Sequence, residues 1–254
     1  MSRLDPRLLL QCYAAGIFPM ADSRDAAELF WVEPRHRAII PLDRFHMSRS
    51  LARTLRSGKF HVTRDRDFAG VIAACADRAE TWINAEIESA MRALHASGHA
   101  HSIEVWHRRE NRAELVGGLY GVRLGRAFFG ESMFSTMTDA SKVALAWLVA
   151  RLKVGGFSLL DCQFMTAHLA SLGAVRVSRA DYVKLLSGAL GAGSAGVGSA
   201  GGGVSGSGSE SETGPGVAAG AEFVALDRLL DATGASDSTG PAGYVIAQLL
   251  GQTS

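Results

Sequence analysis

The apolar positions of this chain change texture several times, and each change marks an element. Leu8, Leu9 and Cys12 recur at helical spacing behind Asp5 and Pro6, with Gly16 as the stop, so residues 5–15 predict a helix capped by Asp5. Residues 17–45 mix aromatics with Pro19, Pro34 and Pro41, which predicts short strands and turns. Ser48 caps a short basic helix that ends before Gly58, and Phe60 to Thr63 reads as a strand. From Asp67 the spacing predicts a helix over Phe68, Val71, Ile72 and Cys75, then another from Asn84 to Ser97. Three strand-like runs follow, Ser102–Trp106, Glu114–Val122 and Arg126–Phe129, spaced as an antiparallel meander. The strongest helix signal starts at Thr138 or Asp139 and runs to Gly155-Gly156. A buried strand (Phe157 to Cys162), a short helix (Thr166 to Leu172) and a helix capped by Ser178 complete the patterned part.

The pattern then fails. Residues 191–216 hold eleven glycines in 26 positions, with serine and alanine for most of the rest. Such a stretch buries too little apolar surface to offset its ordering entropy, so it predicts a disordered Gly/Ser-rich C-terminal extension. Two apolar patches beyond it, Phe223–Leu230 and Tyr244–Leu250, read either as small docking helices or as disordered tail. The expectation is an α+β protein in three parts: a small mixed N-terminal domain (1–60), a larger domain (61–190), and a flexible linker with an acidic tail (191–254).

Composition adds limits. With 47% hydrophobic and 20% charged residues the chain is ordinary globular material. No run of about 18 apolar residues occurs, so no membrane partner is expected. The three cysteines are far apart and odd in number, which fits neither a disulfide framework nor a zinc site and predicts a reducing cytoplasm. Charge is uneven. Residues 191–254 hold six acids against one base, while residues 35–66 hold nine bases against two acids. Such a basic segment suits a polyanion, and equally a solvated arginine-rich face.

Five segments carry candidate chemistry: Tyr13-Ala14-Ala15-Gly16-Ile17-Phe18-Pro19-Met20, Gly98 to Trp106, Leu115 to Val122, Phe128-Phe129-Gly130-Glu131-Ser132-Met133-Phe134-Ser135, and Leu160-Asp161-Cys162-Gln163 followed by His168 to Ala174. In this order and spacing, over residues 4–186, the chain resembles the bacterial leucyl/phenylalanyl-tRNA–protein transferase family. The resemblance implies a GNAT-like acyltransferase domain with an antiparallel-rich mixed sheet flanked by helices. It also implies transfer of Leu or Phe, less readily Met, from Leu-tRNA or Phe-tRNA to proteins with N-terminal Arg or Lys, marking them for N-degron-dependent degradation. The charged tRNA is the acyl donor, so no cofactor and no metal are expected, and the protein is expected to act as a monomer.

The resemblance places Asp161 and Gln163 at the reaction centre, Glu131 at the cationic acceptor terminus, and Leu119, Phe128 and Phe134 around the aminoacyl side chain. It matches Trp82 to a tryptophan suited to stacking on the 3′ adenosine, with Trp31 as a second candidate. Where the family commonly has a tyrosine nine residues after that tryptophan, this chain has Met91. Arg49, Arg53 and Arg56 are candidates for the tRNA backbone. As residues i and i+2 of a strand, Asp161 and Gln163 are expected to share a face. Asp161 could take part in a proton relay or only position its neighbours. His99 and His101 would share a strand face, but no carboxylate or cysteine cluster accompanies them. Cys162 is expected to be a packed core residue. Two competing readings stay open: an acyl-CoA N-acyltransferase, against which residues 130–139 offer only Gly130 as a phosphate-binding turn, and a non-catalytic tRNA-binding module.

Overall fold

A computed structural model describes residues 4–110, 112–191, 221–235 and 241–251. The helices start where capping chemistry puts them. Helix α1 (Pro6–Ala14) begins at Asp5, whose carboxylate accepts the Arg7 N–H at 2.8 Å, and the chain leaves it through Gly16 at φ +79°. Ser48 caps α2 (Arg49–Arg56), Asp67 caps α3 (Phe68–Ala76) and Asn84 caps α4 (Ala85–Ala96), each through its side chain. Thr166 and Ser178 do the same for α6 (Ala167–Ser171) and α7 (Arg179–Leu190). Asp139 precedes α5 (Ala140–Val154) in the left-handed region, and its carboxylate pairs with Lys142 at 3.0 Å instead of capping.

The N-terminal unit carries a two-stranded sheet, β1 (Phe18–Met20) against β2 (Phe30–Val32). The main sheet has seven strands in the order β4-β5-β6-β7-β8-β3-β9. Strands β5 (Ala100–Arg109), β6 (Arg112–Leu124) and β7 (Ala127–Ser135) form the expected meander, longer than the pattern predicted, and β4 (His61–Arg64) pairs with β5 at its edge. Helix α5 then crosses over to bring β8 (Leu159–Asp161) parallel to β7. Strand β3 (His36–Ile39) lies between β8 and β9 (Val175–Ser178), antiparallel to both, so the sheet takes in residues from before position 60.

Helices cover both faces. On one side α2 and α5 pack with Ile103, Val116 and Leu160; on the other α1, α3, α4 and α7 pack around Tyr120, Val122 and Phe129. Leu9, Tyr13 and Phe18 belong to this second apolar cluster, which makes the N-terminal unit continuous with the core. Eleven of the fifteen residues of α5 are buried. A helix so apolar all round must be enclosed, and the enclosure comes from the C-terminal patches. They form α8 (Ala225–Ala232) and α9 (Pro241–Gly251), with Leu226 and Ile246 buried in the same cluster as α5. Of the two alternatives for these patches, the docking helices hold. The glycine-rich linker beyond Gly191 lies outside the described residues.

Candidate active site

The site forms where β7 and β8 part. Their pairing ends at Phe129 opposite Asp161. One residue later β7 is interrupted by a bulge: Gly121 of β6 faces Gly130 while Tyr120 faces Ser132, leaving Glu131 as the extra residue. Bulges of this kind re-aim a side chain. Beyond Asp161 the chain does not continue as a strand, because Gln163 adopts φ +61°. The expectation that Asp161 and Gln163 share a strand face is therefore corrected. A turn brings them together, with Asp161 Oδ1 accepting the Gln163 N–H at 2.8 Å. The Gln163 side chain then reaches across the gap, and its Nε2 donates to Glu131 Oε1 at 2.9 Å.

Both carboxylates are buried, Glu131 at 7% exposure and Asp161 at 0%. Burial pushes the Glu131 carboxyl up to about 7 and the Asp161 charge pushes it further the same way, while Tyr13, Gln163 and Arg37 oppose the shift. The Tyr13 hydroxyl stands near Glu131 and favours its charged form, but among the described residues neither that hydroxyl nor Glu131 Oε2 completes a hydrogen bond of ordinary geometry. Burial also raises Asp161, and Arg37 is the chief opposing influence. The Tyr182 hydroxyl donates to Asp161 Oδ2 at 2.7 Å.

Glu131 and Gln163 line a cavity of about 250 Å³ whose apolar wall is Leu119, Met133, Leu145, Leu148, Leu160 and Leu169. Trp82 and Arg78 border it, and Arg78 donates to the Met133 carbonyl. Of the residues proposed from sequence, Glu131, Gln163, Leu119 and Trp82 thus share one cavity, with Asp161 directly behind Gln163. The others lie elsewhere. Phe128 is fully buried and stacks on Phe223 at 5.4 Å between centroids. Phe134 lines an adjoining groove with Ala74, Asp77 and Thr136, which shares Arg78, Met133 and His168 with the cavity. Trp31 is 42% exposed on β2. Arg49, Arg53 and Arg56 are exposed on α2, outside the cavity wall. Cys162, expected in the core, is half-buried and lines the cavity. Arg37, Tyr182 and Tyr13 were not singled out by the sequence. Tyr13 lies inside a quoted motif, but nothing in the pattern distinguished Arg37 from its basic neighbours.

Residues 39–187 match the family described as leucyl/phenylalanyl-tRNA protein transferase, and residues 2–35 match that family's N-terminal domain. The chain belongs to this transferase family. A leucyl/phenylalanyl-tRNA--protein transferase from Rhizorhabdus wittichii is 57% identical over 100% of both chains. Proteins of the same name from Zymomonas mobilis and from Cereibacter sphaeroides are each 62% identical over 74% of this chain, covering 70% and 86% of their own lengths. A crystal structure of FemX gives a TM-score of 0.48 at 12% identity, covering 67% of this chain and 66% of that one, too loose a likeness to carry an argument. The transferase match includes every residue of the cavity wall. Arg37 falls between its two segments, and α8 and α9 lie beyond its end. Among the described residues, no helix is long and apolar enough to cross a membrane.

Proposed function

We propose that this protein transfers leucine or phenylalanine, less readily methionine, from aminoacyl-tRNA to the N-terminal amine of proteins that begin with arginine or lysine, so marking them for degradation. Family membership supports the reaction type. One observation supports the acceptor: Glu131, a buried carboxylate whose Oε2 has only the Tyr13 phenol close by and no full hydrogen bond among the described residues, lines an otherwise mostly apolar cavity. Such a carboxylate suits a guanidinium or ammonium, and a leucyl or phenylalanyl side chain suits the leucine-rich wall.

In this reading the acceptor amine, already deprotonated, attacks the ester carbonyl. The new C–N bond forms as the bond to the ribose oxygen breaks, and the proton lost by the amine ends on that ribose hydroxyl. The ester is already activated, so holding amine and ester together supplies much of the acceleration. Gln163 donates to Glu131, which leaves its amide oxygen as the acceptor for the incoming amine. Asp161 is fully engaged by Tyr182, Arg37 and the Gln163 N–H. That favours positioning over a proton relay. Trp82 at the cavity edge suits stacking on the terminal adenine, and the exposed arginines of α2 suit the tRNA backbone. The arrangement of the sheet, with one parallel crossover through α5, is consistent with a GNAT-like domain. The charged tRNA supplies the acyl group, so no coenzyme is called for, and the protein works as a cytoplasmic monomer where that substrate is made.

The test is to mix the protein with radiolabelled Leu-tRNA or Phe-tRNA and peptides starting with Arg, Lys or Ala. Label is expected on the first two. Label on no peptide, or equally on all three, overturns the proposal.

A further inference from the structure

Arg37 joins the N-terminal unit to the reaction centre. It sits on β3, with 2% of its side chain exposed. Its guanidinium lies between two rings, 4.7 Å from the centroid of Phe18 and 4.6 Å from that of Tyr182. Its Nη2 donates to the Gly16 carbonyl at 2.7 Å and to the Tyr182 hydroxyl at 3.3 Å, and stands 3.5 Å from Asp161 Oδ2. Tyr182 donates in turn to that same carboxylate oxygen. Two elements of the N-terminal unit (the α1 turn and β1), together with β3, β8 and α7, therefore meet at one buried ion pair.

A buried charge persists only if it is paired and hydrogen-bonded. The neighbours of Asp161 on every side bear on it: Arg37 from β3, Tyr182 from α7, the Gln163 N–H, and the charge of Glu131 on β7 with the Tyr13 phenol of α1 nearby. Arg37 is the only cation among them. Gln163, meanwhile, holds a backbone conformation that residues other than glycine rarely adopt, so something must hold it there. The bond from its N–H to Asp161 Oδ1 does so.

We infer that Arg37 and Tyr182 are positioning residues of the transfer reaction: they fix the charge and orientation of Asp161, which locks the Gln163 turn so that its side chain meets Glu131 in the cavity. This rests on the function proposed above. It gives the N-terminal unit a part in the chemistry, through the Gly16 carbonyl and the Phe18 ring that seat Arg37. Without the guanidinium, Asp161 and Glu131 both become harder to ionise, since Arg37 favours the charged form of each.

The experiment is steady-state transfer from Leu-tRNA to an Arg-peptide between pH 6 and 8.5, using the full chain and the variants Arg37→Lys, Arg37→Met and Tyr182→Phe. For Arg37→Met, kcat should fall about 100-fold at pH 7, and the acid limb of the profile should move up by about 1–3 pH units. That limb belongs to the Asp161–Glu131 pair jointly. KM for Leu-tRNA should stay within about threefold, because the cation does not line the cavity. Arg37→Lys should restore the limb and much of kcat, and Tyr182→Phe should lose about tenfold with a smaller displacement. An Arg37→Met profile that falls equally at every pH, or a loss confined to KM, overturns the inference. If Arg37→Met does not fold, Tyr182→Phe decides: wild-type kcat with an unmoved limb would sink the idea. A wild-type protein that labels no peptide refutes the proposed function instead, which keeps the two failures apart.

Discussion

Glu131 is held in a state it would not choose in water. Its folded pKa of about 7 lies above the ordinary 4.5, so the folded state binds a proton more tightly than the unfolded chain. Folding stability therefore falls as pH rises from 4.5 to 7, by about 3 kcal/mol once both limits are passed. Glu131→Gln keeps the shape and the bond from Gln163 but removes the ionisation. Thermal melting should show this variant more stable than wild type at pH 8 and nearly equal at pH 4.5, while transfer to Arg-peptides drops. A bound cation favours the charged carboxylate, so KM for an Arg-peptide should decrease between pH 6 and pH 8 in wild type by more than in Glu131→Gln. The difference between the two proteins removes the titration of the peptide's own amine. Trp82→Ala should raise KM for Leu-tRNA by about 5- to 150-fold, the range for losing one base stack. The Asp161–Gln163–Glu131 group is legible in the sequence as a motif, although a turn assembles it and strand alternation does not. Arg37 was illegible because charge counts do not report burial: it is one of nine bases between residues 35 and 66, and only the fold encloses it.

Among the elements, α5 closes one apolar side of the cavity. Leu145 and Leu148, three residues apart on one face, line it. Enlarging one of them should shrink the acyl pocket, so Leu148→Phe should reduce transfer of Phe more than transfer of Leu, by about tenfold in the ratio of kcat/KM. The start of α5 presses on β6, where a side-chain carbon added at Gly117 would stand 2.6 Å from the Ala140 Cβ. Gly117→Val should therefore cost about 1–3 kcal/mol in chemical denaturation. This helix was plain in the sequence because fifteen residues carry many apolar positions. Strands β3 and β9 have four residues each, too few for alternation to show, and β9 is mostly exposed. The pairing of β3 with β8 and with β9 depends on partners far away in sequence, which no local window contains.

At the scale of the whole molecule, the C-terminal helices complete the core. Arg151 of α5, buried at one end of that helix, donates to Asp227 of α8 at 2.5 and 2.9 Å, and Arg64 reaches the same carboxylate at 2.9 Å. Phe223, Leu226, Leu230, Ile246 and Leu250 bury their side chains beside them. Deleting residues 192–254 should lower Tm by on the order of 10 °C, and a hydrophobic dye should bind the uncovered face. An unchanged Tm would show that the helices do not hold to the core in solution. The placement of β3 has a temporal consequence as well. Ile39 pairs with Asp161, so a strand made early on the ribosome waits for one made about 120 residues later. At about 5–20 residues per second that delay is roughly 6–24 s. Throughout it the nascent chain carries a strand with no sheet to join, and it is over this interval that a chaperone would find most to hold.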